Sequence, residues 1–293
     1  MADPGKAPRA PEGPFTFHRF ALGDIEATIV SDGPIPLGPP EDTFIDRPAA
    51  ELRGNMRGLG LPDDNVVIQQ NALVLDTGTD LLLFETGMNS MKVTPDMGKL
   101  PANLRAAGFD PADVTAIIAT HPHIDHIGGI VADDGSLNFP NARIYVGEDD
   151  LDYWSRDERI GQPGEHSLHA VRKNLLPNRD RVHFHKPGKE VVPGVEAMLT
   201  AGHTIGHTSF VVSSGGATLF VVGDLLHHQL IVHEPRMDDF YDTDRKLGIE
   251  TRIRVMEMLA SQRMLSLCYH LDWPGLGYFS KRGAGFHFEP VAV

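Results

Sequence analysis

The chain carries a single cysteine, Cys268, in 293 residues. That excludes an intrachain disulfide and any cysteine-rich zinc module, and it fits a reducing, cytoplasmic compartment, with a periplasmic or secreted location left open. Basic runs are missing as well. With a formal net charge of −14, no phosphate-tracking surface is expected and nucleic acid is excluded as a partner. No apolar stretch approaches the roughly 18 residues of a membrane span, and the opening MADPGKAPRAPEGP lacks the apolar centre of a secretory signal. Its proline, glycine and alanine content predicts a disordered arm over residues 1–14, followed by one domain over 15–293. No internal repeat of fixed period is visible.

What is present is a core-forming chain with 41% apolar residues. Short β-branched and apolar runs bounded by turn residues read as strands: EATIVSDG, NVVIQQNALVLDTG, DLLLFETG, TAIIATH, ARIYVG, VEAMLT, SFVVSSGG, TLFVVGD and MLSLCYH. Helical patterns are fewer, at LPANLRAAG, around Glu148 to Arg156, and from Asp244 to Ser261, where Ile249, Ile253, Met256 and Leu259 form an apolar stripe. Strands outnumber helices, so the pattern predicts an α+β fold, two sheets packed together with helices outside. The Pro- and Gly-rich segment 31–64 has little periodicity. Loops this long are usually covers or disordered, and Phe44, Ile45, Leu59 and Leu61 favour an active-site cover.

The chemistry is concentrated in THPHIDHIGG, Thr120 to Gly129. A His-x-His-x-Asp-His string is expected by chance in on the order of 3 in 1000 chains of this composition, so it reads as a motif. TAIIAT is a buried strand, and residues two apart on extended chain point the same way. His121 and His123 therefore face one point beyond the strand end, while Asp125 and His126, next to the turn-permitting Gly128 and Gly129, face a second. Two half-built sites need more nitrogen and oxygen donors. The polar residues at later strand ends supply them: His203 in LTAGHTIGH, Asp224 in LFVVGDLL and His270 in LSLCYHLDWPG.

This order of residues resembles the metallo-β-lactamase superfamily, whose fold is a four-layered αβ/βα sandwich with the metals at one edge. The resemblance implies that His121, His123 and His203 hold one metal, that Asp125, His126 and His270 hold the other, and that Asp224 bridges them. True β-lactamases lack the bridging aspartate, so antibiotic hydrolysis is not expected. Within the superfamily, LNFPNARIYVGEDDLDYW, VPGVEAMLTAGHTIGHTSFVV and HLDWPGLGYFSKRGAGFHFEPV are similar to segments of the methyl parathion hydrolases. Where the superfamily commonly has Asp-Thr-Gly, this chain has Glu85-Thr86-Gly87, which puts Glu85 in the outer-shell position behind a ligand histidine. Where homoserine-lactone lactonases place a tyrosine after the bridging aspartate, it has His227. Trp154 and Trp273 are the further candidates for the substrate pocket. His207 reads as a loop-stabilising hydrogen-bonder.

The implied cofactors are two divalent ions per chain, zinc first, with manganese, iron or cobalt equally suited to such donors. Paired ions lower the pKa of a shared water toward about 7, and the resulting bridging hydroxide is the nucleophile, with Asp125 and Asp224 as the catalytic carboxylates. The expected substrates are aryl phosphotriesters and aryl esters, with lactones as the alternative. A ribonuclease of the superfamily would need a basic surface that this chain lacks. The relatives imply a homodimer.

Overall fold

The computed structural model describes residues 16–292, so the arm expected over residues 1–14 lies outside the described residues. Apolar runs without polar alternation need a sheet covered on both faces. The first seven-stranded sheet runs, in spatial order, Phe17–Leu22, Ile25–Ser31, Asn71–Asp76, Leu81–Phe84, Ala116–Ile118, Arg143–Gly147 and Val182–His185. Its pairings are antiparallel as far as Leu81–Phe84 and parallel beyond. The second seven-stranded sheet runs Glu190–Val192, Val195–Leu199, Thr208–Ser214, Ala217–Gly223, Leu265–Cys268, Leu276–Arg282 and Gly285–Pro290. Here Ala217–Gly223 and Leu265–Cys268 are parallel and the other pairings antiparallel.

Side-chain alternation sorts these strands into layers. Ala27, Ile29, Leu73, Leu75, Leu82 and Phe84 meet Phe210, Val212, Leu219 and Val221 between the sheets. Their sequence neighbours Val30, Ala72, Val74 and Leu83 face the other way, onto Leu104, Leu151 and Val171 of the helices Leu100–Ala106, Glu148–Ser155 and Glu165–Asn174. Beyond the second sheet, Phe220, Val222 and Phe279 pack on Leu230, Val255, Met256 and Leu259 from the helices Gln229–His233 and Arg245–Gln262. The result is helix, sheet, sheet, helix: the four-layer α+β arrangement. No helix among the described residues is long and apolar enough to cross a membrane.

Two expectations are corrected in detail. Segment 31–64 is folded: Ile35–Gly38 pairs with Val66–Ile68, and Pro40–Thr43 and Ala49–Gly58 are helices. Its prolines do not break structure. Pro40 lies in a first helical turn and Pro48 is an N-cap, positions where a missing N–H leaves nothing unpaired. Phe44, Leu52 and Met56 then join the outer core. In Arg245–Gln262 the buried face is Gly248, Thr251, Arg252, Val255, Met256 and Leu259, so Ile249 and Ile253 only flank it. The rotation brings a fully buried arginine inward, for a reason that emerges at the site.

Asp32, at the end of Ile25–Ser31, organises the neighbouring loop. Its carboxylate accepts from the N–H groups of Met88 (2.9 Å), Gly98 (3.2 Å) and Leu100 (2.7 Å). Gly87 makes room for it, since a Cβ there would lie 2.3 Å from the Asp32 carboxyl carbon. Asp32→Ala strips those amides of their acceptor and should lower the unfolding free energy by roughly 3 kcal/mol or more. A urea midpoint giving under about 1 kcal/mol would show that water replaces the carboxylate.

His185 generates a pH prediction. Buried edge-on against Phe210 at 5.4 Å, it has its pKa pushed by burial from 6.5 down to about 4. Between those values the unfolded chain binds more protons than the folded one, so stability is full above pH 6.5 and is lost as pH falls toward 4. His185→Leu should therefore lose less stability than wild type between pH 7.5 and pH 5 in paired unfolding curves. Equal losses would refute the assignment.

Candidate metal centre

The site forms where strands of both sheets end. After Ala116–Ile118 the chain bends at Thr120 and His121, then the helix Ile124–Ile127 begins with His123 at its N-cap position. Gly128 and Gly129 serve close approach rather than a left-handed turn, for Gly128 has φ −62° and a Cβ on Gly129 would lie 1.9 Å from the Thr86 carbonyl oxygen. Thr86 uses that proximity. Its N–H and its hydroxyl both donate to the His126 carbonyl, at 2.7 and 2.9 Å, and its hydroxyl oxygen accepts from Gly129 N–H at 3.2 Å. The helix carrying Asp125 and His126 is thereby pinned.

From the second sheet come His203, Asp224 and His270, and the structure brings all seven expected ligands together. His121, His123, His203 and Asp224 form one group and Asp125, His126, Asp224 and His270 the other, each with its ligand atoms within 4.8 Å of one another. Asp224 belongs to both. Its Oδ2 lies 3.1 Å from His270 Nε2, 3.2 Å from His126 Nε2, 3.4 Å from His203 Nε2 and 3.6 Å from His121 Nε2. His203 Nε2 is also 2.9 Å from His123 Nδ1 and 3.1 Å from His121 Nε2.

The outer contacts decide what those inward nitrogens present. A neutral imidazole has one N–H. His270 Nδ1 donates to the Gln69 carbonyl at 2.7 Å, His203 Nδ1 faces the Asp242 carboxylate at 3.3 Å, and His126 Nδ1 faces Glu85 Oε2 at 3.1 Å. With the proton outward, each Nε2 turns a lone pair toward an anionic oxygen. Such a cluster is self-repelling unless cations sit within it, and donors about 2.1 Å from a tetrahedral ion lie roughly 3.4 Å apart, as these do. Two divalent ions fit the residues present. Burial holds His121, His123 and His203 well below the usual imidazole range, in the neutral form that a ligand requires.

Glu85 occupies the outer-shell position in full. It adopts φ 65°, a strained conformation for a non-glycine residue. Its Oε1 accepts from Thr120 N–H at 3.1 Å while Oε2 faces His126, so the longer side chain still reaches the ligand. His207 stands outside the ligand groups. Its Nδ1 bonds to Thr200 Oγ1 at 2.8 Å and its Nε2 accepts from Asp224 N–H at 2.9 Å. Gly223 before Asp224 has φ 65°, and a Cβ there would lie 2.5 Å from His207 Nε2.

The pocket candidates divide. His227 sits at the centre, with Nδ1 2.7 Å from Asp239 Oδ2 and Nε2 3.3 Å from Asp224 Oδ2, its ring stacked on His270 at 5.3 Å. Trp154 packs edge-on against His123 at 5.4 Å. Trp273 is half-buried and packs on the core between the sheets. Gly275 N–H donates to the Asp272 carbonyl at 2.7 Å, closing a tight turn around Trp273 after His270. Sequence reasoning missed Asp239, Tyr241, Asp242 and Arg252. Tyr241 lies 5.9 Å from His227 in ring separation, with its hydroxyl pKa raised by burial and by Asp239 and Asp125. The one signal available was the acidic, aromatic run MDDFYDTD, Met237 to Asp244.

The mouth opens on His123 and Asp125, the most exposed ligands at 9% and 8%. His166 stands there, 6.2 Å from the His123 ring. Phe240 and Ile45 are exposed nearby, tied by Phe240 N–H to the Thr43 carbonyl at 2.8 Å and Ile45 N–H to the Asp238 carbonyl at 3.2 Å.

Comparison with known proteins matches residues 65–260 to the family described as the metallo-beta-lactamase superfamily. An N-acyl homoserine lactonase of Bacillus sp is 27% identical over 169 residues, 57% of this chain and 60% of that protein. The chain thus spans less than two thirds of that relative's length. Among solved structures, AidC, a dizinc quorum-quenching lactonase in complex with a homoserine product, superposes with TM-score 0.87 at 28% identity, covering 94% of this chain and 98% of AidC. The hydrolase AbOPH of the beta lactamase superfamily gives TM-score 0.88 at 26% identity, covering 96% and 99%.

Elemental analysis of the purified protein should find about two metal ions per chain. Asp224→Ala should lose at least one. His207→Ala should keep both and lose roughly 1–3 kcal/mol of stability, because the Asp224 N–H is left buried and unpaired. A single tightly held ion in the wild type would refute the dinuclear reading.

Proposed function

Because the chain belongs to the metallo-β-lactamase superfamily, we propose that it is a metal-dependent hydrolase, with zinc as its metal, whose preferred electrophile is a lactone of the N-acyl homoserine type. The observation that carries the hydrolytic reading is Asp224 Oδ2, shared by two ligand groups and ringed by inward imidazole nitrogens. Metal bound there supplies Lewis acidity and a water of lowered pKa. His121, His123 and His203 would hold one ion and Asp125, His126 and His270 the other, with Asp224 available to both.

Lactone hydrolysis adds hydroxyl to the acyl carbon and returns a proton to the departing ring oxygen. His227 is placed to handle that proton, held by Asp239 on one side and directed at Asp224 on the other. It takes the part assigned to a tyrosine in the lactonases that the sequence resembles. Phe240 and Ile45 offer apolar surface for an acyl chain, while Trp154, 3% exposed, backs His123 from within the core. The lactone order of preference is supported by the lactonases among the relatives and by the likeness to AidC along nearly the whole chain. It reverses the order drawn from the methyl parathion hydrolase-like segments, which still support aryl phosphotriesters and aryl esters as secondary substrates of the same open site.

On one metal-loaded preparation, kcat/KM for a long-chain homoserine lactone should exceed that for paraoxon and for an aryl acetate by at least about tenfold, or 1.4 kcal/mol. His227→Phe should lower kcat on the lactone by roughly 100-fold. A nitrophenolate leaving group needs no proton, so paraoxon turnover should fall much less. A phosphotriester that outruns the lactone on wild type restores the original order.

A further inference from the structure

The helix Arg245–Gln262 presents one polar turn to the loop that bears His203. Gly248 admits that loop, since a Cβ on Gly202 would lie 2.4 Å from the Gly248 Cα. Thr251 Oγ1 donates to the Ala201 carbonyl at 2.8 Å, fixing the chain two residues before the ligand. Arg252, 1% exposed, donates from Nε to the Leu225 carbonyl (2.9 Å), from Nη1 to the carbonyls of Pro235 (3.2 Å) and Met237 (3.1 Å), and from Nη2 to Asp242 Oδ2 (2.8 Å). One guanidinium thus ties together the residue after Asp224, the run before Asp239, and the carboxylate behind His203.

We infer that Asp242, locked by Arg252, is a positioning residue that fixes the tautomer of His203 and so sets selectively the affinity for the metal held by His121, His123 and His203. The carboxylate has one oxygen for each partner: Oδ2 on Arg252 and Oδ1 on His203 Nδ1. An amide cannot serve both. With its oxygen toward His203, an asparagine side chain in place of Asp242 sets its NH2 against the guanidinium. In the flipped orientation the amide donates to Nδ1 and forces the imidazole proton inward, onto the lone pair that a metal needs. Glu85 stands behind His126 in the other ligand group, so the two outer carboxylates address different metals.

The inference rests on the dinuclear reading, and a zinc titration against a competing chelator on the full chain tests both. Wild type should bind two zinc ions. Asp242→Asn should weaken one by about 10–100-fold and leave the other within about threefold, while Glu85→Gln weakens the opposite one. In a His203→Ala background, Asp242→Asn should add nothing, as expected for residues that act through one contact. If Asp242→Asn does not fold, Asp242→Glu makes the same comparison, keeping the charge beside Arg252 while displacing the oxygen from Nδ1. Unchanged affinities, an equal fall at both sites, or an effect that persists without His203 overturns the inference. A wild type holding one zinc overturns the dinuclear reading itself, whereas two zinc ions without lactone turnover overturns only the proposed substrate.

Discussion

Each imidazole around Asp224 has a single proton to place, and the rest of the site follows from where it goes. Gln69, Glu85 and Asp242 put an acceptor on the outer ring nitrogen of the ligands His270, His126 and His203 respectively. An outward N–H means an inward lone pair. The inner cluster is then a set of like-signed electron pairs around a carboxylate, unstable alone and complementary to cations. Burial reinforces this by keeping His121, His123 and His203 neutral.

The scaffold serves that arrangement by bringing backbone unusually close at few points. Gly87 admits the Asp32 carboxylate, Gly129 the Thr86 carbonyl, Gly202 the Gly248 backbone and Gly223 the His207 ring. The contacts at Gly129, Gly202 and Gly223 hold ligand-bearing segments in place, so small shifts that would separate donors by an ångström are resisted by packing. His227 belongs to the same logic. It shares the outward carboxylate of the ligands but follows Asp224 on a loop facing Tyr241 and the mouth, which suits it to substrate.

The seven residues that gather into the two candidate ligand groups were legible in the sequence because their signal is local: a dense histidine motif, then polar residues where apolar strands stop. The strands with strong apolar runs were legible for the same reason. Edge and cover elements were not. Phe17–Leu22 and Val182–His185 have mixed faces, and segment 31–64 hides two helices behind prolines that sit harmlessly at helix starts. Asp239, Asp242 and Arg252 escaped because their partners are distant in sequence, and an arginine in an amphipathic helix ordinarily reads as solvated. Trp273, three residues past His270, packs on the core between the sheets, a contact that its spacing from the ligand does not reveal.

The first sheet uses only residues 17–185 and the second only 190–290, so the two sheets are successive stretches of chain. The ligands divide along the same line, with His121 to His126 from the earlier stretch and His203, Asp224 and His270 from the later. During synthesis the earlier half can pair its strands while its ligand cluster is still incomplete. The last ligand to emerge is His270, long after the histidine motif. The group of His121, His123, His203 and Asp224 is complete once Asp224 is made, whereas the group of Asp125, His126, Asp224 and His270 waits for His270, so the two groups close at different times and each joins both halves of the chain.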